Sequence, residues 1–449
     1  SDKTGVVELA RALAGIGCEI ISTGGTRGVL EDAGLATTDI ATVTGNPEAF
    51  GGRMKTISFE IESALLFDRE FDAEEAARLG IRPIDMVVCN LYPFEAVRDA
   101  GGDLDALIEN VDIGGPTMIR AAAKNHRWVA VVTDPADYPG IIAELAGGGL
   151  GAETRARLMR AAFNRTADYD AAIASTLDAR HGAPSLRLAF DAPQPMRYGE
   201  NSHQEAVLLR ERGAEQSLCD MEVLGGKALS FNNMADIQAA LDAVKDLQGP
   251  ACAIIKHQNP CGLAMGDDLA AVFPAAWDGD PLSAFGSVIA FNRPLPLEAA
   301  RFLALDAAKR RDRKFVEVVS APAFEGGALE YLQQNAGLRI VRIDPGDARR
   351  PTDVRLLAGA ALLQTADEAL WETLEVKTQA SPGEIDEELL AFGVLAVRQV
   401  KSNAIVLVRR RDDGICQLLG IGAGQPNRVN STRLALDRTR ENLAREGDE

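Results

Sequence analysis

Cysteine and histidine are scarce in this chain. Its six cysteines, Cys18, Cys89, Cys219, Cys252, Cys261 and Cys416, make no CxxC pair and no regular framework, which excludes a disulfide scaffold and the common zinc motifs. Four histidines are few for a metal enzyme. No stretch approaches the roughly 20 apolar residues of a membrane helix. Basic runs are also lacking: RRDRK, Arg310–Lys314, is too short to make a nucleic-acid patch. Against 47 Lys plus Arg stand 66 Asp plus Glu, a formal net charge of −19. Such a surface repels nucleic acid and anionic membranes, so a phosphate-bearing ligand needs a dedicated local pocket. The opening SDKTG has neither the basic nor the apolar region of a signal peptide. The plain expectation is a reduced, cytoplasmic, metal-free protein.

With 449 residues the chain has room for two or three domains. Apolar residues recur at helical spacing from Gly5 to Ile16 (Val6, Leu9, Ala10, Leu13) and stop at Gly17. A short apolar strand, Cys18–Ser22, runs into TGGT, and a helix over Thr26–Ala33 ends at Gly34. Two further strands are expected at Asp85–Asn90 and Trp128–Thr133, and a long helix over Ala152–Ala179. This alternation predicts an α/β layered domain with a mostly parallel sheet. HGAPSLRLAFDAPQP loses periodicity, which places a domain boundary near residues 183–191 and domains at 1–187 and 188–449. Beyond it, strands at Ala251–Lys256, Ser287–Phe291 and Phe315–Ser320 and a helix at Met234–Leu247 predict one or two further α/β units.

Several segments in the first half suit an anion. TGGT, Thr23 to Thr26, lies between a strand and a helix, where glycines admit backbone N–H groups to a phosphate and the helix N-terminus adds partial positive charge. A strand-to-helix turn needs glycine in any case, so TGGT alone says little. GGRMKT, Gly51 to Thr56, offers two cations and a hydroxyl beside flexible glycines. NLYPF sets the Tyr92 hydroxyl at a strand's carboxyl end, where ligands bind in open α/β sheets. In VDIGGPTMIRAAAKNH, Asp112 precedes a Gly-Gly turn and Lys124 lies on the helix that follows. Singly, Asp112 reads as a helix cap and Lys124 as a solvated residue.

Taken together, SDKTG, TGGT, GGRMKT, CNLYPF and DIGG…AAAKNH, in this order and spacing, resemble the inosine monophosphate cyclohydrolase domain family, whose fold is shared with methylglyoxal synthase. The resemblance covers almost all of the first 190 or so residues. It implies a nucleotide site lined by Ser1, Asp2, Lys3, Thr23, Gly24, Gly25, Thr26, Arg53, Lys55, Thr56, Cys89, Asn90, Asp112, Ile113 and Gly114. It makes Lys124 the proton-transfer residue, with Lys55, Tyr92 and Asp112 in support. Ring closure asks for such residue types. A carboxamide nitrogen attacks a neighbouring formyl carbon, a cation or hydroxyl steadies the oxygen, and water leaves. One segment departs from the family pattern. After KT the family continues LHP and then HGG, whereas this chain reads KTISFEIESA, with Ser58, Phe59, Glu62 and Ser63 at the altered positions.

In the second half, Arg197 and Tyr198 of MRYGENSHQ can grip and stack on a nucleotide, though an Arg-Tyr pair is common. AIIKHQNPCG delivers adjacent Lys256 and His257 into a turn. Neighbouring strand residues point to opposite faces, so only a bend at the strand end lets both reach one ligand. With DPLSAFGSVIAFN, FVEVVSAP, KSNAIVLV and GIGAGQPNRVNSTRLA, these segments resemble the aminoimidazole carboxamide ribotide transformylase domain, of cytidine-deaminase-like α/β/α architecture but without zinc. The resemblance runs from Leu188 to about Leu436. It implies His257 as the base, Lys256 as charge stabiliser, and Arg197, Tyr198, Gly286, Glu317, Asn403 and Arg428 as nucleotide contacts, with Val429 near the folate. It further implies 10-formyltetrahydrofolate as cosubstrate, no tightly bound cofactor, and a homodimer acting on small molecules.

The family pattern extends beyond GAGQ…RLA through a SDAFFPF-like segment, whereas this sequence ends at ENLAREGDE. The expectation is a trimmed chain, or a transformylase site short of folate contacts. Two rival readings stand beside the bifunctional one: a cyclohydrolase whose second half is a dimerisation scaffold, and a non-catalytic nucleotide-binding protein.

Overall fold

Short strands and helices build both halves in a computed structural model that describes residues 2–183, 185–214, 216–346, 352–377, 379–380 and 383–446. They fall into two compact units, Ser1–Ala189 and Phe190–Glu449.

In the first unit, strand Ile21–Ser22 pairs in parallel with Thr38–Asp39, and Met86–Val88 pairs in parallel with Ala130–Val132. Parallel pairing is what strand–helix alternation predicts. The expected Cys18–Ser22 strand is trimmed to its last two residues. The 29-residue helix Ala152–Arg180 buries Leu158, Ala162, Thr166 and Tyr169, a spacing that keeps one stripe on the core. Tyr169 is fully buried and meets Phe94 edge-on, with ring centroids 6.3 Å apart.

The second unit is one α/β body built on a single eight-stranded sheet. Its spatial order is Ile405–Arg410, Cys416–Gly422, Asn259–Met265, Ala251–Lys256, Val288–Phe291, Val318–Ala321, Arg339–Arg342 and Glu222–Gly225. Only Val288–Phe291 with Val318–Ala321, and Val318–Ala321 with Arg339–Arg342, pair in parallel; the other neighbours are antiparallel. The central strands read as unbroken apolar runs because both faces are covered. Cys252 and Ile254 pack with Phe273 of helix Leu269–Asp278. Ala251, Ala253 and Ile255 pack with Ile237 of helix Phe231–Val244 on the other face. Side-chain alternation along one strand thus produces the α/β/α layers.

Candidate active sites in the two units

In the first unit the expected motifs converge on a cavity of about 1500 Å³. Lys3, Thr23, Gly25, Thr26, Arg53, Lys55, Thr56, Cys89, Asn90, Tyr92, Asp112, Ile113 and Gly114 all line it. Ser1 lies outside the described residues. Asp2 and Gly24 belong to the same segments but not to the lining. Two helices begin here, Gly24–Asp32 and Gly114–Lys124. Their free N–H groups and dipoles favour an anion, and Lys3, Arg53 and Lys55 add positive charge. Arg53 is ion-paired with Glu109, and Lys55 Nζ stands 3.7 Å from Glu48 Oε1. The chain's own carboxylates therefore hold Arg53 and Lys55 at the cavity.

Asp112 is fixed from three directions. Its Oδ1 accepts the Gly115 N–H at 2.8 Å, its Oδ2 accepts the Tyr92 N–H at 3.3 Å, and its own N–H donates to the Tyr169 hydroxyl at 2.9 Å. The Gly-Gly pair is demanded by crowding. A Cβ on Gly115 would stand 2.6 Å from Asp112 Oδ2, and one on Gly114 2.5 Å from Thr56 Oγ1. Burial, helped by the Asp112 charge, pushes the Cys89 thiol up to about 12, so Cys89 contributes a neutral wall.

Lys124 is placed differently. It ends the helix Gly114–Lys124, is exposed, and is not among the cavity residues. Ten residues of helix put it about 15 Å along the axis from Gly114. The departing KTISFEIESA segment forms a helix, Phe59–Leu66, whose N-terminus is capped by Ser58 Oγ accepting the Ile61 N–H at 3.2 Å. Phe59, Ile61, Ala64 and Leu65 face the cavity. Glu62 Oε1 is buried without a hydrogen-bond partner, and burial raises its carboxyl above the usual range.

In the second unit, Lys256 ends one strand and Asn259 begins the next, paired in register across a two-residue hairpin. His257 (φ 54°) and Gln258 (φ 60°) are both left-handed, the backbone of a type I′ hairpin turn. This is the bend needed to bring adjacent residues to one place. Lys256 Nζ donates to Phe285 O at 2.8 Å, beside Gly286. The Val288↔Ile255 register, continued by one residue, sets Ser287 next to Lys256, and the Glu317 N–H donates to Ser287 O at 2.8 Å. Asn259, Lys256, Ser287 and Glu317 therefore form one row across four strands. Asn259 Oδ1 and Ser287 Oγ, on either side of Lys256, are buried acceptors without partners.

Glu317 is clamped by Arg339 Nη1 and Asn233 Nδ2, each 3.1 Å from its Oε2. Arg197 lies 5.0 Å over the Tyr198 ring, in a hollow of about 580 Å³. Asn232 Nδ2 ties that segment to helix Phe231–Val244 through Glu200 O at 3.1 Å. Asn403 spends its amide on Gln425 O at 2.8 Å, anchoring the GAGQ loop. Arg428 and Val429 are exposed at the start of helix Arg428–Glu446. The Ile405↔Gly422 and Cys416↔Met265 registers bring Asn403 and this loop to the same end of the sheet as Asn259. Sequence reasoning missed Tyr169, Asn233, Asp236 and Arg339, which support the site residues and carry no local motif of their own.

Comparison with known proteins finds two family models in this chain, which meet near residue 120 within the first unit. Residues 122–438 match the family described as "AICARFT/IMPCHase bienzyme". The chain belongs to that family. Residues 5–117 match "MGS-like domain". Among relatives of this bienzyme family, "Bifunctional purine biosynthesis protein PurH" of Sorangium cellulosum (strain So ce56) is 43% identical, over 98% of this chain and 86% of the relative. The protein of the same name from Persephonella marina (strain DSM 14350 / EX-H1) is 40% identical, over 100% and 87%. A solved structure, "Crystal structure of ForH", is 37% identical and covers 39% of this chain and 94% of its own, with a TM-score of 0.35.

Proposed function

We propose that this chain is a bifunctional enzyme of purine biosynthesis. The second unit transfers a formyl group to aminoimidazole carboxamide ribotide (AICAR), and the first closes the product (FAICAR) to inosine monophosphate (IMP). The observation that carries the reading is the match at 43% identity over 98% of the chain to a relative named as bifunctional.

In the second unit, the ribotide amine attacks the formyl carbon of 10-formyltetrahydrofolate. His257 takes the amine proton, Lys256 steadies the oxygen of the tetrahedral intermediate, and tetrahydrofolate leaves when its N10–carbon bond breaks and N10 gains a proton. Arg197, Tyr198, Gly286, Glu317, Asn403 and Arg428 hold the nucleotide, and Val429 lies toward the folate. The unpartnered acceptors of Asn259 and Ser287 suit the amine and carboxamide N–H groups of the ribotide.

In the first unit, phosphate displaces the carboxylates from Arg53 and Lys55 and sits against the two helix N-termini. The carboxamide nitrogen then attacks the formyl carbon within one molecule, and holding the two close supplies much of the rate. Lys55 and Tyr92 exchange protons as water leaves, with Asp112 orienting the ring. The resemblance assigns proton transfer to Lys124; because Lys55 and Tyr92 line the cavity and Lys124 does not, we propose those two for the role. We place the enzyme in the cytoplasm as a homodimer acting on small molecules, with folate as a cosubstrate. The hairpin Thr352–Leu357/Ala360–Thr365 supports the dimer: it pairs with no other described strand, and Leu356 and Leu362 are 72% and 57% exposed. The direct test supplies AICAR and 10-formyltetrahydrofolate and follows IMP and tetrahydrofolate together. Equimolar formation supports the reading; no product from either AICAR or FAICAR refutes it.

A further inference from the structure

The turn that carries His257 is held from outside the hairpin. A type I′ hairpin turn needs left-handed backbone at both positions, and asparagine and glycine usually occupy them. Here they are histidine and glutamine, each with positive φ, a backbone conformation unfavourable for residues other than glycine. Such strain persists only where the surroundings over-determine it. The restraint comes from Asp236, on helix Phe231–Val244, whose Oδ1 accepts the Gln258 N–H at 2.8 Å. Successive amides in left-handed residues form a small anion-binding concavity. Burial raises the Asp236 carboxyl above its usual range, while the Gln258 and His257 amides and the nearby His257 side chain pull it down. The same helix face bears Asn233, one turn earlier, which fixes Glu317. One helix thus registers both the His257 turn and Glu317 against the sheet end.

We infer that Asp236 is a positioning residue for formyl transfer, holding the His257–Gln258 turn in the left-handed form that lets Lys256 and His257 serve one substrate. This rests on the transformylase reading of the second unit. Asp236 need touch neither substrate nor formyl donor. Its requirement is an acceptor oxygen at one place, which an asparagine also supplies. The strain it counters disappears if Gln258 becomes glycine, for which positive φ is not penalised.

These properties define a rescue experiment in the full chain. Asp236→Ala should lower kcat for formyl transfer about 30-fold, change the KM for AICAR less than threefold, and leave cyclisation of FAICAR in the first unit untouched. Asp236→Asn should stay within about threefold of the parent. Gln258→Gly should be near normal, and the Asp236→Ala/Gln258→Gly double variant should return to within about threefold of Gln258→Gly alone. Exchange of the Gln258 amide, followed by NMR, should quicken at least tenfold in Asp236→Ala and stay slow in Asp236→Asn. The proposal is overturned if Asp236→Ala transfers formyl normally, if Asp236→Asn falls as far as Asp236→Ala, or if Gln258→Gly gives no rescue. Absence of formyl transfer in the parent chain would instead mark failure of the functional reading. The amide-exchange pattern would then still decide whether Asp236 holds the turn.

Discussion

The hydroxyl of Tyr169 accepts the backbone N–H of Asp112 at 2.9 Å and donates to Asn110 O, also at 2.9 Å. A fully buried side chain on the long helix therefore sets the residue that caps the Gly-Gly turn at the cavity. Removing the hydroxyl leaves a part-buried N–H and C=O without this partner, at a cost of about 1–3 kcal/mol. Tyr169→Phe should destabilise the first unit by that amount in urea unfolding and slow cyclisation about tenfold. Unchanged stability and rate would show that Asp112 is positioned without it.

The two lysines associated with ring closure make opposite predictions because only one lines the cavity. Lys55→Ala should weaken binding of IMP at least tenfold and lower cyclisation at least 100-fold, a loss typical of positioned proton transfer combined with a lost charge contact. Lys124→Ala should leave the Kd for IMP within about twofold and kcat within about fivefold. Calorimetry and single-turnover cyclisation of FAICAR separate them. A large fall in kcat for Lys124→Ala would return proton transfer to that residue.

Cys89 gives a chemical probe of the cavity wall. Its thiol is pushed up to about 12, chiefly by burial and further by the Asp112 charge, and only the thiolate alkylates. At pH 8 its thiolate fraction falls about three orders of magnitude below that of an ordinary cysteine. Iodoacetamide mapping by mass spectrometry should find Cys89 protected in the native chain and labelled in urea. Rapid native labelling would mean the wall is open and Cys89 ionised.

The exposed leucines of the hairpin Thr352–Leu357/Ala360–Thr365 bear on assembly. An isolated two-stranded hairpin is marginal in water, so a second copy should cover it. Sedimentation should give a dimer for the parent and a monomer for Leu356→Asp/Leu362→Asp. A monomeric parent, or a dimer unaffected by both charges, contradicts this.

Much of the arrangement was legible in the sequence because it is carried by local motifs. TGGT, GGRMKT, NLYPF and DIGG each bring their residues to a strand or helix end, and the topology gathers those ends. Ala251–Lys256 could be read residue for residue, since a short apolar run closed by polar turn residues suits a strand buried on both faces. Tyr169 and Asp236 could not. Each lies on an ordinary amphipathic helix, and its importance comes from a partner 57 or 22 residues away. The antiparallel majority in the second sheet was hidden for a related reason. One of its antiparallel pairs runs through the His257–Gln258 hairpin, whose residues are not the glycine and asparagine that announce a tight turn. Lys124, the last member of DIGG…AAAKNH, ends its helix outside the cavity lining, and the Lys124→Ala variant decides its role.

The central claim is that two separate activities reside in two units of one chain, and complementation between single-site variants tests it most directly. His257→Ala should close FAICAR to IMP at the parent rate but formylate AICAR at least 100-fold more slowly. Lys55→Ala should do the opposite, releasing FAICAR and tetrahydrofolate without IMP. Mixed in one cuvette with AICAR and 10-formyltetrahydrofolate, the two variants should restore IMP formation that neither supports alone. If both variants lose both activities, or the mixture makes no IMP, the assignment of one reaction to each unit is wrong.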